Sequence, residues 1–220
     1  DGINCLTSYT QKKLKSLLTP KTNIEFLEWC TDTVFYSKNC TDKKSYFFSS
    51  GKTNRDYRTL IHAAQMNCNL QFVVIGHFTE ELLNLVPTNM KIIRSAANQI
   101  DTAISYSELK EYYSKSIAVC IPLNDDPEDT CGYTELLESM AMGKPVIIAR
   151  TGCLDINIED KNVGYYYEPH NPHDLSDKLR LIYNKSATAE RFGQNGKKLV
   201  DEKYNLNAYS SRLKKFFKKS

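Results

Sequence analysis

The sequence predicts an α/β fold, a Rossmann-like parallel sheet flanked by helices. Short β-rich apolar runs recur along the chain, each bounded by turn residues, and stretches with helical spacing lie between them. That alternation, kept up through most of 220 residues, is the layout of βαβ units. Apolar residues at 41% and charged residues at 25% supply enough core for such a sheet and match ordinary globular chains.

Taken in order, the predicted strands are 45–49, 70–75, 90–94, 117–122, 145–149 and 164–167, and the predicted helices are 57–65, 79–85, 106–114, 133–142 and 173–183. Local chemistry supports several of these boundaries. Asn171 is a good N-cap, Pro172 suits the first helical position, and Asp174 places a negative charge where the helix dipole favours it. Gly143 suits the left-handed residue that ends a helix. Residues 189–217 read as one or two amphipathic helices. Residues 1–44 stand outside the alternation: an apolar run at 3–6, a helix-like TSYTQKKLKSLL and a short strand at 24–27. They read as the end of another domain or an interdomain segment, so the chain looks like a fragment, with the main domain at 45–220.

The formal net charge of +3 is too small to point to nucleic acid, whose binders carry a strongly basic face. Only the end of the chain is unbalanced. There Lys214, Lys215, Lys218 and Lys219 flank Phe216 and Phe217, which reads either as a solvated helix end or as a contact with an anionic membrane surface. Seven cysteines at 5, 30, 40, 68, 120, 131 and 153 form no CxxC pair and are odd in number, which points away from a zinc site or a disulfide framework and toward a reducing cytoplasm. The sequons at Asn39 and Asn184 carry no weight in such a compartment. His170 and His173 with Asp174 look like a metal cluster, but they frame a helix cap, and no metal or other cofactor is expected.

In an open parallel sheet the ligand sits beyond the carboxyl ends of the strands. Two loops there carry chemistry. SSGKTNRDYRTL, 49–60, has Gly51 for a tight turn and Lys52 and Arg55 as cations for a phosphate, or as a solvated basic turn. IPLNDDPEDTCGYTELLESMAMGKPVI, 121–147, runs from a strand into a helix opened by Gly132, Tyr133 and Thr134. A helix start offers free N–H groups and partial positive charge to a diphosphate. Glu138 lies one turn beyond Thr134, where its carboxylate can accept from ribose hydroxyls; Glu135 lies a quarter-turn away. On spacing alone both glutamates read equally well as helix surface.

GYTELLESMAMGKPVI resembles the signature of the large retaining glycosyltransferases of the GT-B fold, the group 1 type, in whose C-terminal, donor-binding domain a helix reads roughly LEAMAxGKPVI. FFSSGKTNRDYRTLIHAA, FVVIG, ELKEYYSKSIAVCIPL and NVGYYYEPHNPHDLSDKLRLI are similar to that family's other segments in the same order. The ends resemble the passage between its two domains. The resemblance implies a nucleotide-diphosphate sugar donor, a carbohydrate or lipid-linked acceptor, and a separate N-terminal domain that holds the acceptor. Lys52 and Arg55 become the cations on the diphosphate and Glu138 the ribose-binding carboxylate, and these three are the residues implied to act in the transfer. Gly51, Gly132, Tyr133, Thr134 and Glu135 belong to the same cradle, and Gly76 lines the nucleotide side. One position departs from the family: its commonest form has a second glutamate eight residues before the ribose-binding one, and here that residue is Thr130. Asp125, Asp126, Glu128 and Asp129 are the nearby substitutes. A sugar-nucleotide epimerase of the same fold and a non-catalytic binding module are the rival readings.

Overall fold

The structure, a computed structural model, describes residues 2–19, 21–37, 45–94 and 104–219. Asn39 and Cys40 lie outside the described residues. In chain order the elements are β1 (Gly2–Cys5), α1 (Ser8–Leu17), β2 (Asn23–Phe26), β3 (Tyr46–Gly51), α2 (Tyr57–Gln65), β4 (Phe72–Gly76), α3 (Glu80–Leu83), β5 (Met90–Arg94), α4 (Tyr106–Lys115), β6 (Ser116–Ile121), α5 (Tyr133–Ala141), β7 (Val146–Ala149), β8 (Gly164–Tyr167), α6 (Pro172–Asn184), α7 (Ser186–Lys203) and α8 (Leu206–Lys219).

Strands β3 to β8 form one six-stranded sheet in the order β5-β4-β3-β6-β7-β8, with every pairing parallel. Parallel strands are covered on both faces, so they carry apolar runs rather than alternation. FVVIG of β4 and VIIA of β7 are buried at every residue. Phe47 and Phe72 stack across β3 and β4 at 5.7 Å, and Phe48 meets Tyr113 of α4 edge to face at 5.0 Å. The helix starts follow the local chemistry. Asp56 caps α2, Ser105 and Glu108 form a reciprocal capping box on α4, and Asn171 caps α6 with Pro172 at its first turn.

β1 and β2 pair parallel in a separate two-stranded sheet bridged by α1. This segment touches the main sheet's loops and the last helices. Ser8 donates its N–H to Asp155 at 2.7 Å, Lys13 and Tyr9 bind Glu128, and Glu28 takes Lys203 and Arg212. Trp29 packs edge to face on Tyr209 of α8. Among the described residues no helix is long and apolar enough to cross a membrane.

The chain leaves β3 toward β4 and β5, then returns to place β6 on the other side of β3. Strand order therefore reverses between β3 and β6. At such a reversal the loops leaving the two strands diverge and open a crevice at their carboxyl ends.

Candidate functional site

The two loops at this reversal are stitched together. Arg55 and Leu123 form an isolated antiparallel bridge, Asp56 donates its N–H to the Pro122 carbonyl at 3.0 Å, and Asn124 donates its side-chain amide to Asn54 at 3.0 Å. Between them lies a cleft of about 480 Å³. Gly51, Lys52, Arg55, Thr130, Gly132, Tyr133, Thr134, Glu135 and Glu138 all line it.

Each side of the cleft has a local cause. Gly51 has φ of 136°, and a Cβ there would lie 2.5 Å from the Arg55 guanidinium. Glycine is therefore what lets Arg55 fold back over the end of β3. The guanidinium donates through Nε to the Ser50 carbonyl at 3.3 Å, through Nη1 to the Thr53 carbonyl at 2.9 Å and through Nη2 to Glu135 Oε2 at 3.0 Å. On the other side, Gly132 has φ of 84° at the N-cap of α5, and no side chain caps that helix start. Thr134 is exposed there and Lys52 is exposed across the cleft.

Two placements, those of Arg55 and Gly76, differ from the sequence reading, and one alternative it left open for the glutamates is closed. Arg55 is not a cation projecting from a loop: its side chain is 7% exposed and ion-paired with Glu135, itself 5% exposed. Neither glutamate is helix surface. Glu135 Oε1 accepts the Ser50 N–H at 2.6 Å and the Ser50 hydroxyl at 3.1 Å. Burial pushes its carboxyl up to about 7, against the downward pull of Arg55 and Ser50. Glu138 is buried too, and burial also raises its carboxyl while the Tyr113 hydroxyl, donating at 3.0 Å, opposes that rise. The Tyr36 hydroxyl lies near the same carboxylate without a hydrogen bond of normal geometry. Gly76, finally, does not line the cleft. It closes β4 under Tyr57, whose hydroxyl lies 2.5 Å from where a Cβ would stand, so the glycine makes room for a ring. That hydroxyl donates to the Gly51 carbonyl at 2.6 Å and so braces the turn.

Tyr133 contributes the backbone of the helix start, while its side chain is buried with an unpartnered hydroxyl. The acidic loop before α5 offers the cleft no carboxylate. Glu128 turns to Lys13 and Tyr9, Asp129 to Asn54 and the Cys131 N–H, Asp125 to the Thr151 hydroxyl and Asp126 to the Glu128 N–H. Thr130 lines the cleft at the position where the resemblance has a glutamate. Sequence reasoning missed Ser50 and Tyr113, which hold the two glutamates. Ser50 was signalled by its place beside Gly51, and Tyr113 by a phenol in a helix turn that must face the core. His170 accepts or donates at Asp56, 2.8 Å away, and among the described residues no three His, Cys, Asp or Glu side chains gather as a metal site.

The model of the family described as glycosyl transferases group 1 matches residues 33–199. The chain belongs to that family. Its relatives include the sulfoquinovosyl transferase SQD2 of Arabidopsis thaliana, 28% identical over 148 residues, which cover 66% of this chain and 27% of that protein. The chain thus spans about a quarter of the length of this curated relative. Among solved structures, sucrose-phosphate synthase from Thermosynechococcus elongatus superposes with a TM-score of 0.79 at 16% identity, over 100% of this chain and 58% of that one. Anabaena HepE in complex with UDP-glucose gives 0.76 at 12% identity, over 99% of this chain and 63% of that one. At these identities the likeness is one of fold. Within the family signature, Lys144 of MAMGKPVI is buried away from the cleft: its Nζ donates to the carbonyls of Ser114 and Ser116 at 2.6 and 2.8 Å, where α4 turns into β6.

Proposed function

We propose that this chain is the donor-binding part of a glycosyltransferase that holds a nucleotide-diphosphate sugar in the β3/β6 cleft, for transfer to a carbohydrate or lipid-linked acceptor. The observation that carries the reading is the meeting, in one cleft at the strand-order reversal, of Lys52, Arg55 and the uncapped start of α5. A diphosphate seated there faces two cations and the positive end of a helix dipole. Glu138 lies one turn deeper on α5 and lines the same cleft, where its carboxylate would accept from ribose hydroxyls. As the bond to the sugar breaks, negative charge grows on the leaving diphosphate, and these same groups stabilise it more in the transition state than in the ground state. No metal is needed for that neutralisation. Residues 1–44 belong, on this reading, to the passage from an N-terminal domain that would supply the acceptor site.

Family membership supports this reading, as does the fold shared with a protein solved with UDP-glucose. The placement of Thr130, with its acidic neighbours engaged elsewhere, favours a second reading in which the fold binds a nucleotide without transferring the sugar. Calorimetric titration with UDP, GDP and ADP and with their glucose or mannose esters tests the first step. Saturable binding that weakens in Lys52→Ala is expected, and failure of every nucleotide to bind contradicts both readings. Transfer assays on the complete protein then separate them, since binding without turnover supports the second.

A further inference from the structure

The pairing of Arg55 with Glu135 poses a charge problem that the diphosphate must solve. Glu135 reaches the cleft from α5, and its carboxylate already satisfies the cation that the proposed donor needs. A diphosphate arriving beside it brings like charge into a poorly hydrated place, where two anions cannot share one guanidinium without strong repulsion. Resting on the donor-binding reading above, we infer that Glu135 is a positioning residue: it holds Arg55 in place while the cleft is empty and takes up one proton when the diphosphate binds, yielding the guanidinium to the ligand.

The surroundings favour this division of labour. Once protonated, Glu135 can still accept from the Ser50 N–H and hydroxyl, so its neutral form is not stranded. The groups facing it come from four other elements. Arg55 belongs to the β3–α2 loop, Tyr57 to α2, Tyr113 to α4 and Cys120 to β6, and burial pushes the two phenols and the thiol upward, so all three stay neutral near pH 7. On its own helix, Glu138 stands beyond Tyr113 and is the other carboxyl raised by burial. In the empty cleft Glu135 already sits with its carboxyl pushed toward neutrality, so the added charge of the ligand has little further to move it. Atoms balance simply: the proton comes from buffer and is returned to it when the ligand leaves.

The test uses nucleotide sugars, UDP-glucose first and GDP-mannose and ADP-glucose if it does not bind, because each of their phosphates is capped by one ester and by the shared anhydride oxygen and lacks the titration near pH 6 of a terminal phosphate. Affinity is measured from pH 6 to 8.5 by calorimetry in pairs of buffers with different protonation heats. The expected result is uptake approaching one proton, with affinity falling by up to tenfold per pH unit as pH rises above 7. Glu135→Gln should give a flat profile and keep at pH 8 the affinity that the wild type reaches only near pH 6. Glu138→Gln and single replacements of His62, His77, His170 and His173 should leave the slope in place. Binding without proton uptake in the wild type, or a slope that survives Glu135→Gln, overturns this inference and leaves donor binding standing. Absence of binding at every pH removes the donor reading itself. The wild-type buffer comparison needs no variant, so a Glu135→Gln protein that fails to fold does not block the decision.

Discussion

Two cations are buried against the same sheet, Lys144 at the amino ends of its strands and Arg55 at the carboxyl ends. Lys144 is 1% exposed and its ammonium is gripped by the main-chain carbonyls of Ser114 and Ser116. Arg55 is held by Ser50 and Thr53 carbonyls as well, but also by the carboxylate of Glu135, beside a cleft. Held to those carbonyls at the base of the sheet, Lys144 fastens α4 to β6. A cation matched to a titratable side chain at an opening can change partners. In the sequence both follow a glycine, Lys144 directly in GK and Arg55 four residues on in GKTNR, and only the topology separates a fastener from a binding group.

The largest effect expected from this contrast is on stability. Arg55→Ala leaves Glu135 buried without its cation, which should cost about 3–5 kcal/mol at pH 8.5, where the carboxyl is ionised, and less below pH 7, where it takes up a proton. The double variant Arg55→Met with Glu135→Leu should recover most of it, as chemical denaturation midpoints would register. A single variant as stable as the wild type means the pair is not desolvated as described. Lys144→Met strips two carbonyls of a charged donor and should cost about 1.5–3 kcal/mol, with nucleotide affinity unchanged in the folded fraction. A loss of affinity there would erase the distinction between the two ends of the sheet.

A pH series sharpens the same comparison. The folded carboxyl of Glu135 is raised to about 7 from the ordinary 4.5, so the folded state binds the extra proton. Its contribution is then fully favourable below the unfolded value and is lost as pH climbs through the folded one. Wild-type stability relative to Glu135→Gln should accordingly fall between about pH 4.5 and 7 and level off above. The opposite slope would mean that Arg55 and Ser50 outweigh burial. Gly51→Ala is expected to act more gently, by about 1–3 kcal/mol for the strained backbone, and to weaken nucleotide binding by displacing the Arg55 guanidinium. Lys52→Ala, at an exposed position, should move stability by less than about 0.5 kcal/mol while costing binding about 1.5–3 kcal/mol, the worth of a hydrogen bond to a charge.

Much of the framework was legible because it depends on local pattern. Strands at 90–94 and 164–167 and the helix at 57–65 coincide with the structure, since apolar runs and caps such as Asp56 act within a few residues. Where pairing partners decide, the boundaries shifted. β3 extends to Ser50 and Gly51, residues of low strand preference, because they align with Ile75 and Gly76 of β4. The helix expected at 79–85 shrinks to Glu80–Leu83 with Thr79 as its cap. The candidate cleft was legible as two loops, since both follow strands and carry glycine, cations or a helix start. Its internal wiring was not. That Glu135 meets Arg55, that Tyr113 meets Glu138 and that Tyr57 covers Gly76 are consequences of the order β4-β3-β6, which no spacing along the chain reports.

The same sheet offers a rival hollow of about 380 Å³ beyond β7, lined by Arg150, Thr151, Asp155 and Tyr166 among others. Amide hydrogen exchange on the complete protein, with and without saturating nucleotide sugar, locates the ligand without any substitution. Slowed exchange is predicted at Lys52 to Arg55 and at the start of α5, Gly132 to Glu135, with the loop from Arg150 to Asp155 unchanged. Protection confined to Arg150 to Asp155, with the β3 and β6 loops unaffected, would contradict the account.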